Sequence, residues 1–110
     1  MDTNALYGCF NTAPGAIDIP ATGTLSKTIF QNDTQKVVLF AFAAGEELSE
    51  HTAAVPAIMH LVSGRVTWII GGEKHEVAPG EWAAMTPKLP HTVIAHEPSV
   101  MVLILIKGAK

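Results

Sequence analysis

From Lys27 onward the chain is a series of short apolar runs separated by turn residues every six to ten positions. Lys27–Phe30 ends at Asn32-Asp33, Lys36–Ala43 at Ala44-Gly45, and Ala57–Ser63 at Gly64. Arg65–Ala78 carries Gly71-Gly72 at its centre, the signature of a two-residue hairpin turn. Ala78-Pro79-Gly80 and Pro87-Lys88-Leu89-Pro90 are turns on either side of Glu81–Thr86, and Pro98-Ser99 separates His91–His96 from Val100–Ile106. No window repeats with a 3.6-residue apolar period. Short, evenly spaced strands of this kind predict an antiparallel sandwich or barrel. Val37–Ala44 and Val100–Ile106 are apolar at nearly every position, which predicts strands covered on both faces. In a small two-sheet domain the outer face needs a cover, and a partner subunit is the natural one, so a homodimer is expected.

Residues 1–25 break this pattern. They are rich in Gly, Pro, Thr and Ala and read as an N-terminal arm, irregular or docked on the body, ahead of a β-domain over residues 26–110. A length of 110 residues fits one domain. Both long apolar runs fall well short of the ~20 residues of a membrane helix. Net charge is −3 with no basic cluster, so nucleic acid is not an expected partner. The opening MDTNALYGCF has no basic n-region, and a cytoplasmic location is expected. Cys9 is the only cysteine, which excludes an intrachain disulfide; it reads as a small apolar residue.

Two glycine-anchored segments carry further information. In the first, Gly45 is followed after five residues by His51, then by Ala53, Ala57 and Gly64. In the second, Gly80 leads to Thr86-Pro87-Lys88, then to His91 and Ala95. This frame resembles the two signatures of the small single-domain cupins over roughly residues 26–106. The first of those reads Gly, five residues, His-x-His, three or four residues, Glu, six residues, Gly. The second reads Gly, five residues, Pro-x-Gly, two residues, His, three residues, Asn. The resemblance implies an all-β fold, an antiparallel double-stranded β-helix or jelly-roll barrel of the RmlC-like kind. It also implies a metal site at the matched positions, of which His51 and His91 keep their ligands. Ala53 stands at the second His, Ala57 at the Glu, Lys88 at the Gly and Ala95 at the Asn.

Alternation along a strand supplies the geometry: the x in His-x-His puts both imidazoles on one face. Nitrogen and oxygen ligands with open positions would suit one divalent Fe, Mn, Ni or Zn ion. Two imidazoles alone make an incomplete site. His60 is the possible third ligand, but with Ala57, Met59 and Leu61 facing in, parity turns His60 out unless a bulge after Pro56 reverses it. Glu50 lies on the opposite face from His51, and Glu46 and Glu47 lie in the preceding turn, so no carboxylate replaces the missing one. His75 reads as a solvated hairpin residue and His96 as a surface residue.

Ala53, Ala57, Met59, Leu61 and Met85 are expected to line a trimmed, apolar pocket, with Trp68 or Trp82 as further walls, and His51 and His91 as its polar anchors. No Gly-x-Ser-x-Gly elbow and no Gly-rich phosphate loop is present. Three functions fit. The first is a module that binds a small molecule, with or without a weak metal site. The second is a metal-dependent enzyme of oxygenase, isomerase or decarboxylase type using His51 and His91. The third is a dimeric interaction module with a vestigial pocket. Nothing in the sequence selects a reaction.

Overall fold

The computed structural model describes residues 5–12 and 15–108. Among these residues it has nine strands: β1 (Thr24–Gln31), β2 (Gln35–Phe42), β3 (Glu47–His51), β4 (Ala57–Ser63), β5 (Val66–Ile70), β6 (Glu73–Val77), β7 (Trp82–Met85), β8 (His91–Ala95) and β9 (Ser99–Ile106). They form two antiparallel sheets, one in the order β1-β2-β9-β4-β7 and one in the order β3-β8-β5-β6. This is the all-β, two-sheet barrel that the apolar pattern predicts.

The turns follow from residue chemistry. Gly71 and Gly72 take φ values of 57° and 85°, the paired positive values that a tight hairpin matching strand twist requires. Gly64 has φ 91° and lies so close to Ser99 and the Pro98 carbonyl that a Cβ there would collide with them. The buried Ser99 hydroxyl accepts from the Arg65 amide at 3.2 Å and donates to the Glu97 carbonyl at 2.7 Å. That contact closes the β4–β5 corner onto the start of β9.

Between the sheets, alternate residues meet in one core. Phe42, Ala57, Met59, Leu61, Trp68, Met85, Val93 and Met101 are all buried there. The opposite faces of β2 and β9 form a second apolar layer from Val37, Leu39, Val100 and Val102, joined by Phe30 of β1. Burying a side chain such as Leu39 stabilises the fold by about 1.5–3 kcal/mol, so this layer strongly favours a cover. The chain supplies part of that cover itself. Ala5, Ala16 and Ile17 of the arm pack on the layer, Phe10 sits 5.6 Å from Phe30 ring to ring, and the Asn32 side-chain amide donates to the Ala5 carbonyl at 2.9 Å. The expectation that a partner subunit covers this face therefore met a different physical answer over part of the surface: the arm folds back on it.

Candidate functional site

His51 and His91 meet across the β3–β8 ladder, where they are directly paired. Their ring centroids are 4.1 Å apart in an edge-to-face arrangement. His91 is 3% exposed, and His51 is half-buried beside it.

A bulge creates this meeting. Leu48 pairs with Val93 and His51 with His91, so three steps along β3 answer two along β8. Leu48 packs against the inner core. Without the extra residue, His51, three positions on, would point to the opposite face. The bulge through Ser49 and Glu50 re-aims the imidazole inward, a common use of bulges beside functional sites.

Each ring is also tethered. His51 Nδ1 lies 2.8 Å from the Ser49 carbonyl oxygen, and His91 Nδ1 lies 2.9 Å from that of Leu89. A carbonyl can only accept, so both Nδ1 atoms carry the proton and both Nε2 atoms keep a lone pair in the neutral ring. Burial pushes the His91 pKa below the ordinary imidazole value. The bond to Leu89 opposes that shift and the neighbouring His51 adds to it.

The second signature loop braces the first. The Lys88 amide donates to the Ala53 carbonyl at 2.7 Å. Lys88 stands at the position where the cupin signature has glycine, and it takes φ 66°, the left-handed conformation that glycine adopts without strain. The backbone of the signature persists although its residue has changed.

Other residues expected at the site are placed as follows. Ala57, Met59, Leu61 and Met85 all face inward and are packed in the core. Ala53 lies between β3 and β4, partly exposed. His60 is not brought to the pair. Its neighbours Met59 and Leu61 are buried in the core, while His60 lies on the outer face, stacked on Trp82 with ring centroids 3.9 Å apart. Trp68 faces inward and is 3% exposed, whereas Trp82 is 58% exposed. His75 is exposed near Glu73. His96 is exposed yet joined to a small network on the outer face of β5. There its Nε2 lies 2.6 Å from the Thr67 hydroxyl, which also lies 2.6 Å from a Glu76 carboxylate oxygen. The hydroxyl has one proton; it donates to Glu76 and accepts from His96.

The donor set does not fit a full metal centre. Ala53 and Ala57 offer no ligand, and among the described residues no group of three His, Cys, Asp or Glu side chains could hold an ion. What remains is two tethered imidazoles that can accept hydrogen bonds from a guest or share a weakly held ion.

A two-sheet antiparallel barrel with paired signature loops at one end defines the class: a small jelly-roll domain. The cupin domain family model matches residues 38–107, and the chain belongs to that family. No curated protein sequence matches the chain. Among solved structures, a conserved Streptococcus pyogenes protein of unknown function superposes with TM-score 0.82 at 24% identity, covering 97% of this chain and 94% of that one. A cupin superfamily protein from Desulfitobacterium hafniense gives TM-score 0.80 at 20% identity over 84% and 85% of the two chains. A salicylate 1,2-dioxygenase from Pseudoaminobacter salicylatoxidans gives 0.73 at 14% identity, covering 79% of this chain and 28% of that one. Among the described residues no helix is long and apolar enough to cross a membrane.

Proposed function

We propose that this protein is a small-molecule-binding cupin whose barrel end grips an uncharged or weakly acidic guest through the Nε2 atoms of His51 and His91. One observation carries the reading: both rings are tethered through Nδ1, so both acceptor atoms are presented by the same cross-strand pair. Ala53 and Ala57, short side chains at the ligand positions of the signature, set little bulk against a guest. Met59, Leu61 and Met85 supply apolar walls behind it.

A thermal-shift panel of small phenols, carboxylic acids and aromatic acids tests this. At least one class should raise the melting temperature of the wild type and lose its effect in His51→Ala. A panel with no stabilising compound would leave the barrel end a vestigial site. The rival reading, a metal-dependent oxygenase, isomerase or decarboxylase, rests on the same two lone pairs and on the dioxygenase among the structural neighbours. Elemental analysis of untagged protein decides between them. Near-stoichiometric Fe, Mn, Ni or Zn that disappears in His51→Ala would favour the enzyme.

The same reading includes a homodimer. Leu6, Tyr7, Ile19 and Leu25 remain exposed on and beside the arm, and light scattering coupled to size exclusion should give twice the chain mass. The exposed free thiol of Cys9 suits a reducing compartment such as the cytoplasm.

A further inference from the structure

The edge strands β6 and β7 belong to different sheets, and the turn at Ala78–Glu81 joins them. A cleft of ≈ 430 Å³ opens between them, lined by residues that include Trp68, Ile70, His75, Val77, Trp82 and Ala83. Small-molecule sites span about 300–1,000 Å³. This cleft is on the far side of β5 from the β8 strand that carries His91.

One wall holds an unmet donor. The Trp68 indole N–H is buried and, among the described residues, has no hydrogen-bond partner. A buried unsatisfied donor is costly in a native fold, and the group calls for an acceptor. The rim limits what can bring that acceptor. The lining residues include one lysine, Lys74, against two glutamates, Glu76 and Glu81, so an anion finds no net attraction. Both glutamates already accept hydrogen bonds, Glu76 from Thr67 and Glu81 from the Ala78 amide. The walls of Trp68, Ile70, Val77 and Ala83 suit a ring, and the exposed indole of Trp82 offers it a flat surface.

We propose that this cleft is a second binding site, distinct from the His51–His91 end, for an uncharged ring-bearing molecule whose carbonyl oxygen accepts from Trp68 Nε1. The Nε1 atom is itself buried, so the carbonyl reaches it as the side chains that line the cleft give way.

Indole and imidazole NMR signals of the full chain, labelled with ¹⁵N, test the site with benzamide and toluene as probes. The two share a ring and carry no charge, but toluene has no acceptor. Benzamide should move the Trp68 Nε1–H resonance saturably and shift the amides of His75, Trp82 and Ala83, leaving the His51 and His91 ring signals in place. Toluene should bind about 3- to 10-fold more weakly, the worth of one hydrogen bond. Trp68→Phe keeps a ring and removes the donor, and should cost benzamide the same factor. Ala83→Leu narrows the cleft without touching Trp68 and should abolish binding of both probes. The site is overturned if benzamide leaves the Trp68 resonance unmoved, if it shifts the imidazoles instead, or if both probes bind alike. Benzamide binding undiminished in Trp68→Phe or in Ala83→Leu overturns it equally.

Discussion

Two ring pairs sit on this barrel at nearly the same spacing. His51 and His91 are 4.1 Å apart, and His60 and Trp82 are 3.9 Å apart, and each is a direct cross-strand pair. The likeness ends there. The first pair is turned inward by a bulge, fixed at both Nδ1 atoms and drawn into the core at His91. The second faces outward, with no side-chain hydrogen bond to His60 among the described residues and with Trp82 largely exposed. Ring contact alone therefore does not make a site. What separates the pairs is the backbone carbonyls that fix a tautomer and the burial that holds a ring neutral.

The largest effect that would break this contrast lies between the two faces of β4. Met59→Ala should cost about 2–5 kcal/mol in chemical denaturation, because it opens a cavity in the inner core. A cost near that of a surface substitution would mean that the inward face is not packed as described.

Next is pH. The folded His91 resists protonation more than the unfolded chain does, so the unfolded state binds more protons below the ordinary imidazole value of about 6.5. Stability from this group is fully present above that pH and is lost as the pH falls through it towards the lowered folded value. Melting temperatures measured from pH 8 to pH 5 should fall across this window, and His91→Gln should flatten the slope. In His51→Ala, the His91 ring should titrate at a higher pH by NMR, because a like charge beside it has been removed.

Lys88→Gly sharpens the contrast from the other direction. It relieves a left-handed non-glycine residue at about 1–2 kcal/mol and loses about 0.5–1 to chain entropy. A gain of about 0.5–1 kcal/mol in denaturant midpoint analysis is expected. The smallest effect belongs to the outer pair: His60→Ala should cost no more than about 1 kcal/mol, the value of an exposed ring contact.

Much of the fold was legible in the sequence. Turn residues and apolar runs located every strand except β3, whose Glu47–His51 is mostly polar, and Gly71-Gly72 marked the hairpin. The meeting of His51 with His91 was legible only through the spacing of the two signatures. Strict alternation from Leu48 would have turned His51 outward, and nothing in Ser49-Glu50 announces a bulge, because a bulge depends on how two strands register. Docking of the arm on the body was one of two readings of residues 1–25, but the face it covers, the layer of Leu39 and Val102, was hidden. An apolar outer face reveals that it needs a cover, but not which segment supplies it. The Trp68 donor and the β6–β7 cleft escaped for a similar reason. A buried tryptophan reads as core until every acceptor within reach has been located.

The bulge at Ser49-Glu50 has one more consequence. The direction of His51 is stored as a count of residues rather than as a residue type. Deleting Ser49 would leave every side chain of the pair intact and still swing the imidazole to the other side of the sheet. A lineage that shortens this strand by one position could thus silence the barrel end in a single step, with both histidines still in the sequence.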